Sequence, residues 1–225
     1  MILKNILAKA DCEDEDEDEG APGISILPAD SHWGPDTLTF YGPESRAILI
    51  SGPITQEQAN CVISQMLELT SDSTEEPIFV YINTDGGEMV AGLAIYDMMR
   101  ITPCPVVTLV VGACHSAGLF ILQGGDRRGA TPHASFFYHE PIGFNQAHNE
   151  RASSDNNDTY KHLRSCMDTI LQTRSKISKT VWRRDFEGRT AYTFDTTKAL
   201  EYKLIDEVID YAKPKPLKMK SLGEI

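Results

Sequence analysis

The chain has 225 residues, 41% of them hydrophobic, which is enough to enclose one well-buried domain with a helical appendage. Its formal charge of -12 is concentrated in residues 11–19, almost all Asp and Glu; without them the body is only mildly acidic, which argues against nucleic acid as the main partner. No apolar run reaches the roughly 18 residues that a bilayer requires, no signal peptide is expected, and the 5 cysteines contain no C-x-x-C pair, so reduced thiols and a cytoplasmic setting are expected.

Residues 1–23 end in a low-complexity, self-repelling acidic run and are expected to be disordered. Strand-like pieces follow at 24–27 and 38–41, and a short apolar strand at 47–50 is broken by Ser51-Gly52-Pro53. From Thr55, apolar residues recur at Ala59, Val62, Ile63, Met66 and Leu67, the spacing of a helix with one buried stripe. Residues 78–82, IFVYI, predict a core strand that runs into Asn83-Thr84-Asp85-Gly86-Gly87. A helix is predicted over 90–99, stopped by Thr102-Pro103-Cys104-Pro105. Residues 106–111 predict a third core strand, ended by Gly112, and an apolar helical segment covers 119–122. Further on, the pattern predicts a strand at 135–138, a long projecting helix whose periodic part is 160–181, a short helix at 196–202 and an edge strand at 204–209. Alternating strands and helices argue for an α/β fold with a largely parallel sheet covered by helices. The tail, 213–225, is lysine- and proline-rich and is expected to be mobile or to lie along a partner.

Ligands in open α/β sheets bind beyond the carboxyl ends of strands, and three polar clusters fall there: Asp85-Gly86-Gly87, His115-Ser116 and His139. Ser116 stands at a sharp strand-to-helix turn among small residues, where a nucleophile is exposed, although a plain helix cap is the competing explanation. A serine needs a base, and His139, one strand onward, is a better candidate than the adjacent His115. The N–H groups of Gly87 and Ala117 could hold an oxyanion. An acid that orients the imidazole does not announce itself, though Asp185 and Asp195 lie late enough in the chain to supply one. No metal-ligand cluster, cofactor motif or Walker loop is present, so any use of ATP belongs to a partner.

Taken together, the segments Ile48 to Gly52, Ala59-Asn60, Gln65-Met66-Leu67, Tyr81-Ile82-Asn83, Gly86-Gly87, Ala91-Gly92, Ile95-Tyr96-Asp97, Ser116 with Gly118, His139-x-Pro141-x-Gly143 and Glu201-Tyr202 resemble the proteolytic subunit of the Clp protease. The resemblance implies a Clp-protease/crotonase-like fold of repeated strand-strand-helix units, with the domain over 24–212 and a handle helix projecting within about 143–181. It puts the nucleophile on Ser116, the general base on His139 and the oxyanion amides on Gly87 and Ala117. It implies a homo-oligomer of stacked heptameric rings, an AAA+ unfoldase partner and unfolded polypeptide substrates.

The departures from that pattern resemble a divergent, phage-type member. Residues 112–118 read G-A-C-H-S-A-G where the family has G-Q-A-A-S-M-G, so Cys114 and His115 are expected to narrow or polarise the site. Counting back from Glu201-Tyr202 puts Ala191 at the family's catalytic aspartate. Two other functions therefore stand beside serine peptidase: a catalytically weakened or inactive ring subunit, motivated by Ala191, and a crotonase-like acyl-CoA enzyme, against which Ser116 with His139 argues.

Overall fold

A computed structural model of the chain describes residues 46–140, 150–187 and 190–209, with side chains from 158 onward in the second segment. The acidic N-terminal segment, the strands expected at 24–27 and 38–41, and the C-terminal tail lie outside the described residues.

The elements run β1 (Ala47–Ile54), α1 (Gln56–Asp72), β2 (Ile78–Gly87), α2 (Met89–Ile101), β3 (Val106–His115), α3 (Ala117–Leu122), β4 (Arg127–Ala130), β5 (Ser135–His139), α4 (Glu150–Arg174), α5 (Lys179–Trp182), a π-helical turn (Arg183–Glu187), β6 (Ala191–Asp195), α6 (Thr196–Glu201) and β7 (Glu207–Val208). The strands form one mixed sheet, ordered β1-β2-β3-β4-β7, with β5 beside β3 and β6 beside β5. All pairings are parallel except β5 with β6. The expected α/β class and largely parallel sheet are therefore present. Among the described residues no helix is long and apolar enough to cross a membrane.

Each unit folds for a local reason. The Thr55 side chain accepts the Gln58 N–H at 3.2 Å and starts α1. One face of α1, with Ala59, Val62 and Met66, then closes over the sheet. In β2, Ile78, Val80 and Ile82 alternate into the core while their neighbours are more exposed.

Two features position the site. First, β3 runs on to His115 instead of ending at Gly112 as expected. Gly112 continues the strand because the Asn83 side chain fills the space a Cβ would need, and Asn83 Oδ1 accepts the Ala113 N–H at 2.9 Å. Second, one edge of β3 is shared. Residues Val107 to Val110 pair with β4, and Ala113 to His115 pair with β5. The far end of β3 thus lies between β2 and β5, with the β3–α3 turn just beyond it.

β4 and β6 are strands that the hydrophobic pattern does not announce. Arg128 of β4 is buried because Asp206 accepts from its Nε and Nη2, while its Nη1 reaches Gln123 and the Arg174 carbonyl. The edge strand expected over 204–209 shortens to Glu207–Val208. The long helix expected to run through 181 stops at Arg174. There the Lys176 N–H is taken by the Tyr202 carbonyl at 3.1 Å, and the Ser178 side chain caps the new helix α5.

Candidate active site

Ser116 joins β3 to α3 with φ 51° and ψ -115°, a conformation that L-residues rarely adopt. Its side chain makes no capping hydrogen bond to α3, so the helix-cap explanation for this serine fails. The backbone is held instead by the Ser116 N–H, which donates to the Phe137 carbonyl of β5 at 2.8 Å. A strained turn whose serine hydroxyl does not cap the helix is the geometry of a nucleophile elbow.

The end of β2 is packed directly behind it. Gly86 has φ 97°, and a Cβ there would lie 2.6 Å from Ser116 Cβ and 3.1 Å from the Ala117 nitrogen. Thr84, fully enclosed, fixes this turn: its hydroxyl accepts the Gly86 N–H at 3.0 Å and donates to the Gly52 carbonyl. Gly87 follows on the last rung with β1, opposite Ile54, where a Cβ would strike the Ile54 backbone. Ala117 opens α3, so its N–H has no partner within the helix. Gly87 thus closes β2 and Ala117 opens α3, and Gly86, next to Gly87, is the glycine that meets Ser116.

His139 is the last residue of β5, two positions beyond Phe137 on the same face of the strand. Its ring lies 5.5 Å from that of Phe137, whose other neighbour is the His115 ring at 5.8 Å. In the isolated chain the Ser116 hydroxyl and the His139 imidazole are not hydrogen-bonded to each other. His139 Nδ1 donates to the Glu140 carbonyl at 2.7 Å, which leaves Nε2 with the lone pair.

Asp195 does not stand beside His139, and Asp185 is engaged by other partners. The β5–β6 register puts Ala191 directly opposite His139 and Asp195 opposite Ser135, four residues away, or about 13 Å along the strand. Asp195 caps α6, accepting the Lys198 N–H at 2.9 Å. Asp185 is buried in an aromatic cluster, where it accepts the Tyr202 hydroxyl at 2.6 Å and pairs with Arg184.

The two residues before Ser116 behave differently. Cys114 points into the core, and burial pushes its thiol far above the usual range, so it neither narrows nor polarises the site. His115 faces outward between β2 and β5. Its Nδ1 lies 3.0 Å from Asp85 Oδ1 and its Nε2 lies 3.2 Å from Ser135 Oγ. This carboxylate–imidazole–hydroxyl chain ends on Ser135, which lies within a regular strand and has no elbow. It escaped the sequence reading because the three residues meet only through the β2–β3 and β3–β5 registers. Among the described residues no group of acids, histidines or cysteines is arranged to hold a metal ion.

The Clp protease family model matches residues 41–212, a span that takes in every described residue. ATP-dependent Clp protease proteolytic subunit 2 of Prochlorococcus marinus (strain MIT 9313) is 32% identical over 177 residues, covering 77% of this chain and 86% of that relative. ATP-dependent Clp protease proteolytic subunit 3 of Synechococcus sp. (strain CC9605) is 34% identical over 186 residues, covering 78% and 88%. Subunit 3 of Synechococcus sp. (strain CC9902) is 32% identical over 179 residues. Agreement over most of both lengths, on a chain whose sheet and elbow already fit, means that this protein belongs to the Clp protease family.

Proposed function

We propose that the chain is a serine endopeptidase whose nucleophile is Ser116 and whose general base is His139. The observation that carries this reading is the elbow itself: a serine at φ 51° with its side chain free of capping duty, backed by Gly86. Strain of this kind persists only where the surroundings enforce it, and it costs on the order of 1–3 kcal/mol. An ordinary helix start has no need of it.

In this mechanism the peptide lies across the carboxyl ends of β2, β3 and β5. His139 Nε2 takes the Ser116 proton as Oγ attacks the scissile carbonyl. The N–H groups of Gly87 and Ala117 receive the oxyanion of the tetrahedral intermediate. The imidazolium returns its proton to the leaving amine. Water, activated by the same histidine, then releases the acyl group from Ser116. Ser116 and His139 come into contact in the substrate complex, since catalytic hydrogen bonds are often long or absent before substrate binds.

The relatives are named as ATP-dependent proteolytic subunits. By analogy this chain works as a homo-oligomeric ring, two heptamers stacked around a chamber, fed with unfolded polypeptide by an AAA+ unfoldase in the cytoplasm. A second reading, a weakened ring subunit that supports active partners, draws on Ala191 facing His139 where an acid would stand. Hydrolysis of an unfolded protein by the purified oligomer, abolished by Ser116→Ala, is the result expected of a peptidase. A purified oligomer as slow as its Ser116→Ala variant would favour the weakened subunit.

A further inference from the structure

A general base acts through one ring nitrogen and is set by what the other one holds. His139 Nδ1 is held by the carbonyl of its neighbour Glu140, and that carbonyl can only accept. On the facing rung Ala191 offers only a methyl group. The orientation of the imidazole therefore depends on where the Glu140 peptide is kept.

Glu140 is fixed from two sides. Its N–H reaches the Thr190 carbonyl at 3.4 Å. Its carboxylate Oε1 accepts from Arg164 Nη2 of α4 at 2.6 Å. Arg164 Nε also lies 3.7 Å from Asp168 Oδ2, and Asp168 Oδ1 accepts the Tyr138 hydroxyl at 3.4 Å. One turn of α4 thus holds β5 on both sides of His139, at Tyr138 and at Glu140. Burial works against the Arg164 charge, but the Glu140 hydrogen bond and the two carboxylates outweigh it and hold its pKa above the ordinary arginine value. The pair is half-exposed, so its value lies in geometry more than in stability.

We propose that Arg164, acting through Glu140, is the positioning residue that fixes the His139 tautomer, and that the Glu140 main-chain carbonyl takes the place of a triad acid. The proposal rests on the reading of His139 as general base. It makes the long helix part of the catalytic apparatus, because a shift of α4 that parts Arg164 from Glu140 releases the imidazole.

The test uses the full chain in its assembled state. Arg164→Ala is expected to lower kcat on a fluorogenic peptide by about 10- to 100-fold with KM nearly unchanged, since a loosened base affects only the chemical step. Glu140→Gln keeps a neutral hydrogen bond to Arg164 and is expected to lose less. The charge-swapped pair Arg164→Glu with Glu140→Arg is expected to recover most of the rate. Nitrogen-15 spectra of the His139 ring in the Ser116→Ala protein provide a readout independent of turnover: Nδ1-protonated with Arg164 present, a mixture of tautomers with Arg164→Ala. Wild-type rates in Arg164→Ala, or an Nδ1-protonated ring that persists unchanged in Arg164→Ala, would overturn the proposal while leaving His139 as the base; an Nε2-protonated ring with Arg164 intact would count against both. Loss of the His139 requirement itself, seen as full activity in His139→Ala, would remove both.

Discussion

His139 and Ala191 occupy the same rung of the antiparallel ladder between β5 and β6. Side chains on one rung stand with Cβ atoms about 4.5–5.5 Å apart, within reach of each other. A carboxylate at position 191 would therefore lie beside the imidazole. Ala191→Asp is expected to raise kcat by at least about tenfold, given that losing an orienting aspartate can cost about 10⁴ elsewhere. A steady-state assay on a short peptide checks this, and unchanged or lower kcat would mean that the imidazole needs no acid from that rung.

Gly86 is the residue on which the elbow leans. Any Cβ there meets Ser116 Cβ at 2.6 Å and the His115 carbonyl at 2.9 Å, on a backbone with φ 97°. Gly86→Ala is expected to cost about 1–3 kcal/mol in urea denaturation and to suppress peptide hydrolysis. Full activity with unchanged stability would mean that the β2–β3 ends are looser than described.

Much of this was legible in the chain. The apolar runs at 78–82 and 106–111 and the apolar spacing that follows Thr55 are local signals, and each produced the expected element. The places of Ser116, at a strand-to-helix turn, and of His139, at a strand end, were legible because small residues and a strand run mark them. What escaped depends on partners far away in sequence. Arg127 and Arg128 carry no local strand signal, yet they lie in a strand where Asp206 and Glu207 neutralise them. Asp85 and His115 read as separate strand-end clusters, yet they are joined to each other and to Ser135 across two strand pairings. The Glu140 carbonyl carries no side-chain signature at all.

Asp126 and Asp206 are held below the usual carboxylate range. In both, burial opposes ionisation, and hydrogen bonds outweigh it: from Val106 N–H and Arg100 to Asp126, and from Arg128 to Asp206. A carboxylate with a depressed folded pKa adds stability that is complete above its unfolded pKa, near 4, and is lost as pH falls through the folded value. Stability is therefore expected to decline below about pH 4, and Asp206→Asn to flatten part of that decline. Denaturation midpoints between neutral pH and pH 3 measure it; an equal acid slope in the variant would contradict the assignment.

The Asp85–His115 pair should matter little to stability, because the Asp85 side chain is 89% exposed. Asp85→Asn is expected to shift unfolding by less than about 1 kcal/mol. A larger loss in calorimetry would mean that the chain to Ser135 braces the strand ends.

The account stands on Ser116 as a nucleophile. Treatment of the assembled protein with a fluorophosphonate, followed by peptide mapping, tests that directly. The expected result is a single adduct on Ser116, absent in Ser116→Ala and strongly reduced in His139→Ala. An assembled wild-type protein that carries no adduct at Ser116 would contradict it.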